Sequence, residues 1–551
     1  MRNKKLLSVS MVFALLASFL LLFGASRPLP LTVQASQGAS EPDFSLMFIE
    51  NVGQFNEQAR FRVDGGPGTL WLTGDALWLT ISERSQVELS PEDMRAKFEE
   101  RLPIAEPHQV VNMKLSFAGA NPRPRLEPFN RLETTINYYL GNDPARWRTS
   151  VPVWGGMRYV DFYPGLDLEI TSEGGQWAWR LVCREADCQA SLREVRLQVA
   201  GVEGVELLSA PGGENGGGVR LNTALGNITL PLLTIEGGGP ASQPASTRTT
   251  NGVFEIAAPF SAVVPGAKAA IQPSASAEVF FGTYLGGSDA DKVLDIAIAG
   301  QGDILDGTRA IYVTGYTESS DFLVQPPGSS LLQGDMDVFV TKVRKVGATI
   351  SPEYSTYIGG SYTNAAYQDK GAEKGYGIAV DENEAVYVTG STRSDDFPTT
   401  SGAFDTTFNG EDPCGPFSPD RACSDAFILK LDSSGALAYS TYLGGTGTDR
   451  PGSSTRGSGD DTGTAIAVQN GDIYITGSTW AEDFPTTAGA YDQTFSHVDA
   501  GDNDDVFVVK LRPAGNGSAD LLYSSFVGSA SIERGYDIAV DGGGIVYVTG
   551  L

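Results

Sequence analysis

Short apolar runs bounded by turn residues fill the C-terminal half of the chain. Each run has five to seven residues rich in valine, isoleucine, tyrosine, phenylalanine and threonine, with glycine, aspartate, asparagine or serine on either side. β-Branched and aromatic side chains suit a pleated sheet, so these runs predict β-strands. Asn470 and Gly471 lie between two of them and predict a tight hairpin, because both residues tolerate a positive φ.

Four kinds of run recur in a fixed order. One kind has a YVTG core, found at Tyr312–Gly315, Tyr387–Gly390, Tyr474–Gly477 (as YITG) and Tyr547–Gly550. The others are an aspartate followed by apolar residues and a lysine, a TYLGG run and an IAV run. Four sequential antiparallel strands per unit, without helical periodicity, predict the blades of a β-propeller.

These units resemble the SBBP (seven-bladed β-propeller) repeats of bacterial extracellular proteins. The family pattern DAFVxKLxxxGxxxYSTYLGG is followed closely at Asp425–Gly445, and IAVDxxGxxYVTGxTxSxDFPTTxGAFDxTFNG at Gly377–Gly410. The resemblance covers residues 276–551. It implies a propeller fold and a secreted or cell-surface setting, and it implies no catalytic residues.

Residues 44–275 carry no repeat and form a separate β-rich region. Alternating leucines at 70, 72, 77 and 79 around Gly74 and Asp75 predict a hairpin there. The region resembles the β-rich domain of unassigned function that commonly precedes SBBP repeats. The resemblance rests on NVGQF (Asn51–Phe55), NYYLGNDPARWRTSVPVW (Asn137–Trp154) and FYPGLDLEI (Phe162–Ile170).

The first 35 residues predict a secretory signal peptide. Arg2, Lys4 and Lys5 precede a long apolar stretch, and Val33–Ala35 offers a small-x-small cleavage site. An uncleaved anchor is the alternative, since about 20 apolar residues can span a bilayer. After cleavage, residues 36–43 form a short mature N-terminus, and the mature chain has no predicted membrane span.

The charge balance excludes one class of partner. With 67 acidic and 39 basic residues the net charge is -28, so the surface should repel nucleic acid. An extracellular polysaccharide or a surface protein is the kind of partner that an exported chain could bind.

The four cysteines form two close pairs, Cys183 with Cys188 and Cys414 with Cys423. In an oxidising compartment each pair is expected to close a local disulfide. Metal binding is the weaker alternative, because the spacings are not CxxC and no histidine lies near either pair.

Six of the seven tryptophans lie in the N-terminal region. Trp177 and Trp179 share one face of a predicted strand, which makes them candidates for stacking on a sugar ring. The alternative is that they pack in the core, as large aromatic residues commonly do in β proteins.

Candidate catalytic chemistry is sparse. There are two histidines, His108 and His497, and the acidic residues before Phe322, Phe397 and Phe484 recur in every complete unit. Recurrence favours a turn role over a catalytic carboxylate pair. Asp499, Asp502, Asp504 and Asp505 could bind calcium, the one cofactor considered, although solvated surface acid is the alternative.

The sequence therefore predicts an all-β protein with an N-terminal β-rich domain and a C-terminal propeller of four-stranded blades. Counted from the aspartate-to-lysine run, the first unit lacks one strand and the last ends after YVTG, which predicts an incomplete ring and a truncated C-terminus. A small closed ring of four blades is the alternative. We expect a non-catalytic secreted or cell-surface binding module. A secreted carbohydrate-active enzyme and a purely structural envelope protein are the alternatives.

Overall fold

The fold is taken from a computed structural model. It describes residues 46–64, 68–82, 110–173, 176–184, 188–208, 218–235, 245–248, 252–257, 281–300, 304, 307–324, 332–346, 349–361, 371–410, 423–446, 460–496, 504–529 and 531–551. The predicted signal peptide and residues 36–43 lie outside these ranges. No helix in the described ranges has both the length and the apolar character needed to cross a bilayer.

Strands dominate both halves of the chain. The N-terminal strands are β1 (Met47–Glu50), β2 (Phe61–Asp64), β3 (Thr69–Leu72), β4 (Leu77–Ser82), β5 (Val110–Phe117), β6 (Arg125–Leu140), β7 (Arg148–Tyr163), β8 (Leu166–Glu173), β9 (Gln176–Cys183), β10 (Arg196–Ala200), β11 (Gly204–Leu208), β12 (Gly218–Thr223), β13 (Gly226–Pro231), β14 (Thr234–Ile235), β15 (Ala245–Arg248) and β16 (Phe254–Ala257). A short helix, α1 (Gln189–Glu194), follows β9.

The remaining strands are β17 (Phe281–Gly286), β18 (Asp291–Ala299), β19 (Ala310–Thr317), β20 (Asp337–Val346), β21 (Thr349–Ile358), β22 (Glu373–Val380), β23 (Val386–Thr392), β24 (Asp425–Leu431), β25 (Leu437–Leu443), β26 (Asp461–Gln469), β27 (Asp472–Thr479), β28 (Asp505–Leu511), β29 (Leu521–Val527), β30 (Gly535–Val540) and β31 (Val546–Gly550). The all-β prediction is confirmed.

The N-terminal region is built on one curled sheet of 14 strands. Its main path runs β14-β9-β8-β7-β1-β2-β3-β4-β5-β10-β16-β15, and a smaller sheet pairs β11, β12 and β13. The predicted hairpin is β3 with β4, in which Leu70 pairs with Leu79 and Leu72 with Leu77. All four leucines are buried in the core, so this stretch follows the alternation of a half-buried strand.

Strand β17 belongs to this N-terminal sheet although its sequence is a TYLGG run of the repeat. It pairs in parallel with β6, from Phe281 opposite Thr135 to Gly286 opposite Leu140. The first repeat strand therefore joins the N-terminal region to the blades. The predicted boundary between residues 275 and 276 stays a prediction.

The blades are four-stranded antiparallel sheets. The first consists of β18 to β21, the second of β22 to β25 and the third of β26 to β29, while β30 and β31 form a two-stranded sheet. The first strands of neighbouring blades lie side by side, since the Ile378 amide donates to Asp295 Oδ2 at 2.8 Å. Apolar side chains from adjacent blades share buried clusters between the sheets. The predicted blades, in an incomplete propeller, are confirmed.

The blades do not start at the aspartate-to-lysine run from which the repeat units were counted in the sequence. Each blade begins with the IAV run and ends with the TYLGG run, so its middle pairing joins YVTG to the aspartate-to-lysine strand. In the second blade, Tyr387 pairs with Lys430 across a long connection. The first TYLGG run lies in the N-terminal sheet and belongs to no blade. The first blade therefore starts at the next run, β18, and has all four of its strands.

The glycine of the YVTG run is required by a β-bulge in the strand beside it. In the second blade the register of β22 against β23 shifts between Gly375 and Gly377, which leaves Tyr376 as the extra residue. A methyl group added to Gly390 would overlap the Lys374 carbonyl oxygen. The same overlap is found at Gly315 and Gly477, so a repeated backbone contact accounts for a repeated letter.

The phenylalanine of the DFP segment anchors the loop after each YVTG strand. Phe397 is buried, with ring centroids 4.9 Å from Phe427 and 6.1 Å from Tyr442. The Tyr442 hydroxyl donates to the Ser394 carbonyl oxygen at 2.8 Å. Phe322 and Phe484 are buried against the phenylalanines of their own blades in the same way.

The N-terminal domain packs directly on the first blade. Tyr139 and Trp147 share an apolar cluster with Phe322, Phe339 and Tyr357. The Tyr139 hydroxyl also donates to the Ile350 carbonyl oxygen. The NYYLGNDPARW segment therefore supplies the surface on which the propeller begins.

A candidate ligand-binding face on the N-terminal sheet

A row of four side chains crosses the outer face of the N-terminal sheet. Arg62 on β2 pairs with Trp71 on β3, Trp71 pairs with Trp78 on β4, and Trp78 pairs with Lys114 on β5. We call these four residues the tryptophan ladder. Their sequence neighbours point to the core, so strand alternation directs the ladder outward.

Each tryptophan of the ladder has a cationic side chain beside its ring. The Arg62 guanidinium lies 5.5 Å from the Trp71 ring, and the Lys114 ammonium lies 5.4 Å from the Trp78 ring. Phe55 meets Trp71 edge to face at 5.3 Å, which leaves Trp71 only partly exposed. Trp78 is 37% exposed, so it is the ring of the ladder most open to a ligand.

Polar groups flank the aromatic row on the same face. The Thr80 hydroxyl donates to Asn112 Oδ1 at 2.8 Å, and Thr80 is the cross-strand partner of Thr69. Two ion pairs balance the cations of the ladder: Arg62 lies 2.8 Å from Asp64, and Lys114 lies 3.5 Å from Asp75. The face therefore combines an open ring with hydroxyl, amide and carboxylate groups.

Strand β17 extends this face toward the propeller. Tyr284 stacks on Tyr138 with ring centroids 4.7 Å apart, and its hydroxyl donates to Asp64 Oδ2 at 3.1 Å. The Arg62 guanidinium lies 5.8 Å from the Tyr284 ring. Burial raises the pKa of both tyrosines above the usual value, so both hydroxyls stay protonated at neutral pH.

Trp177 and Trp179, the pair singled out from the sequence, are in the core. Trp177 is 7% and Trp179 is 2% exposed, and their rings meet edge to face at 5.1 Å. Trp179 also donates its indole N–H to the Pro231 carbonyl oxygen at 2.9 Å. Both rings pack within the curled sheet, as the core alternative describes, and neither offers an open face to a sugar.

The acidic residues proposed for calcium are divided by the structure. Asp499 and Asp502 lie outside the described residues. Asp504 is buried, and its Oδ2 accepts a hydrogen bond from Arg534 Nε at 2.8 Å. Asp505 is also buried and accepts the Ser496 amide at 2.8 Å. Within the part of the chain that is described, no cluster of three or more metal-ligating side chains occurs.

The recurring acids of the DFP segments hold turns together. Asp396 accepts hydrogen bonds from the Ser361 amide and hydroxyl at 2.8 and 2.6 Å. Asp483 accepts the Thr446 amide at 2.9 Å in the next blade. Each carboxylate ties the loop after a YVTG strand to the end of the preceding blade, which is the turn role expected from their recurrence.

The disulfide predicted between Cys183 and Cys188 is present, with the two Cα atoms 5.8 Å apart. It joins the end of β9 to the start of α1. Cys423 is buried and disulfide-bonded. Cys414, its predicted partner, lies outside the described residues.

Replacing Cys183 and Cys188 together with serine is expected to lower the free energy of unfolding by about 2 kcal/mol. Cross-linking so short a loop removes only a modest conformational entropy from the unfolded chain. Urea unfolding of the variant and of the oxidised parent would measure the difference. A loss above about 5 kcal/mol would show that the bond does more than close a local loop.

The fold defines a class of protein: a curled β-sheet domain followed by antiparallel propeller blades. Family models agree with both parts, since a domain of unknown function, DUF7948, matches residues 48–230 and the SBBP beta-propeller repeat matches residues 353–398. The chain is thus an SBBP-repeat protein with an N-terminal DUF7948 domain. Comparison with curated proteins gives no match.

Proposed function

We propose that the protein is a non-catalytic, secreted or cell-surface module that binds an extracellular polysaccharide on the tryptophan ladder. The observation that carries the proposal is the exposed ring of Trp78 on a rigid sheet, flanked by hydrogen-bonding side chains. An aromatic face suits the apolar face of a sugar ring, because it gains contact area at little cost in side-chain entropy.

The charges of the ladder favour an uncharged polysaccharide. Arg62 and Lys114 each have a carboxylate partner, so the face carries no excess of positive charge to attract a polyanion. Carboxylates can instead accept hydrogen bonds from sugar hydroxyls, and amide and hydroxyl groups can both donate to and accept from them. The net charge of -28 acts in the same direction.

Replacing Trp78 with alanine is expected to weaken retention on the preferred polysaccharide at least about tenfold, because the most open stacking surface is lost. Trp78→Phe should keep part of the affinity, since a smaller ring remains. Affinity electrophoresis against a panel of neutral and acidic polysaccharides would measure both variants. Tyr491→Ala is the matched control, because Tyr491 is 83% exposed but lies in the propeller.

The same panel separates the alternatives. Retention that is equal in the parent and in Trp78→Ala would reject the ladder as the binding face. Release of sugars would favour a carbohydrate-active enzyme. If the parent binds none of the polysaccharides, the proposal fails, and a protein partner or a structural role becomes the function to test.

A further inference from the structure

Acidic side chains meet in pairs where one blade joins the next. One member begins the third strand of a blade, and the other lies at or just before the first strand of the following blade. We call these the junction pairs, and they are Asp337 with Glu373, Asp425 with Asp461, and Asp505 with Glu533. Five of these six side chains are fully buried.

At the first two junctions a glycine, Gly359 or Gly444, lies against both carboxyl groups of the pair. At the second junction, a β-carbon built on Gly444 would lie 2.7 Å from Asp461 Oδ2 and 2.8 Å from Asp425 Oδ1. Both carboxyl groups therefore line the same small space, and no side chain fits there. Gly444 is the first glycine of the TYLGG motif, so the motif needs a glycine here to leave room for the two carboxyl groups.

The second junction pair is short of hydrogen-bond donors. Asp425 Oδ2 accepts the Asn409 amide at 2.7 Å, and Asp461 Oδ2 accepts the Gly445 amide at 2.8 Å. The Thr479 hydroxyl also donates to Asp461. The Oδ1 atom of each residue is buried without a hydrogen-bond partner. Two buried carboxylates in this arrangement would be costly, whereas a proton on either one removes one of the two negative charges.

The first junction pair shows how the same position is satisfied when donors are present. Glu373 Oε1 accepts the hydroxyls of Thr392 and Ser394 at 2.9 and 2.5 Å, and Oε2 accepts the Gly360 amide at 3.3 Å. In the third blade, Ala481 stands where the second blade has Ser394. One hydroxyl donor is therefore absent beside Asp461.

The charged groups that act on the second pair are all acidic. Burial, together with the charges of Asp405, Asp460 and Asp483, raises the pKa of Asp425 to about 8, although the hydrogen bond from the Asn409 amide acts in the opposite direction. Burial and then the charge of Asp425 also raise the pKa of Asp461. These directions agree with the geometry, since each effect disfavours a second negative charge.

We propose that Asp425 and Asp461 share one proton in the folded protein, and that losing this proton to solvent loosens the junction between the second and third blades. With the proton bound to one carboxyl group, the pair carries a single negative charge. When the proton leaves, two negatively charged carboxylates remain in the same buried space beside Gly444. The junction is thus a pH-sensitive contact within the propeller.

Raised carboxyl pKa values give stability that is complete below the unfolded-state pKa and is lost as the pH rises through the folded-state pKa. Stability is best compared between pH 5 and 8, because histidine is the side chain that usually titrates in this range and the chain has only two. Burial lowers the pKa of Lys374 to about 8, which adds an opposite slope above that pH. The melting temperature should therefore fall between pH 5 and 8.

The test is calorimetry of the full chain at pH 5 and pH 8, with Asp461→Asn and Ala481→Ser as variants. We expect the parent to melt about 5 °C lower at pH 8 than at pH 5. Asp461→Asn should reduce that difference, because the amide supplies a donor without a charge. Asp337, Glu373 and Asp505, whose pKa values burial also raises, account for the remainder. Ala481→Ser should reduce it, because it restores the hydroxyl present in the second blade.

Glu382→Gln serves as the control, since Glu382 is an exposed carboxylate on the second blade and should leave the parent profile unchanged. A parent melting temperature that does not fall from pH 5 to 8 would overturn the proposal. So would an Asp461→Asn variant that keeps the parent difference. If that variant does not fold, an unchanged profile in Ala481→Ser is equally decisive against it.

Discussion

Alanine at Gly390 is expected to lower the free energy of unfolding of the propeller region by at least about 3 kcal/mol. The added methyl group would overlap the Lys374 carbonyl oxygen, which belongs to the backbone of the neighbouring bulged strand. Neither strand can move away without breaking its ladder, because β23 pairs with β22 on one side and with β24 on the other. Overlap with backbone is relieved less easily than overlap with the end of a flexible side chain.

Urea unfolding followed by tyrosine and tryptophan fluorescence would measure the effect of Gly390→Ala. The control is Gly542→Ala, because a β-carbon at Gly542 would have no atom within 4 Å. That control should lie within about 0.5 kcal/mol of the parent. A tolerated Gly390→Ala would mean that the bulge at Tyr376 is not rigidly held.

Phe427→Ala is expected to cost about 3 to 5 kcal/mol. Phe427 is fully buried, and its ring centroid is 4.9 Å from that of Phe397. It belongs to an apolar cluster shared by the first two blades. Removing its ring would leave a cavity between the blades. The loop that begins with Ser394 would also lose the surface on which its phenylalanine packs.

Phe427→Leu is the graded companion to that change, and its cost should be smaller because most of the volume is kept. Tyr491→Ala should change the free energy of unfolding by no more than about 0.5 kcal/mol, since Tyr491 is 83% exposed. The same unfolding measurement applies to all three variants. Equal effects of Phe427→Ala and Tyr491→Ala would contradict the role given to the shared cluster.

The strands could be read from the sequence because local chemistry determines them. Tyr387–Gly390 and its copies combine β-branched and aromatic residues with a bounding glycine, and each lies in a strand. The turn at Asn470 and Gly471 was equally accessible, and both residues have the predicted positive φ of 53° and 82°. These features depend on a few neighbouring residues.

The grouping of strands into blades could not be read in this way. A repeating order of four runs is the same whichever run is counted first, and pairing such as Tyr387 with Lys430 crosses a long loop. The parallel pairing of Phe281–Gly286 with β6 was also hidden, because the strand carries the letters of the repeat. Long-range pairing leaves little trace in local composition.

The outward direction of the tryptophan ladder could have been predicted from the sequence. Leu70, Leu72, Leu77 and Leu79 were already assigned to the core, and strand alternation then requires Trp71 and Trp78 to point outward. Trp177 and Trp179 were preferred because they share a face. Leu181 lies on that same face and is buried, which indicates the core side of β9.

The pairing of β17 with β6 has a consequence for how the chain can be divided and synthesised. Residues 281–286 cover the hydrogen-bonding edge of a strand that lies more than a hundred residues earlier. An N-terminal fragment ending at residue 275 would expose that edge, and exposed edges promote aggregation. During synthesis, the N-terminal sheet can be completed only after the first repeat strand has left the ribosome, and a fragment extended through Gly287 would keep that edge of β6 covered.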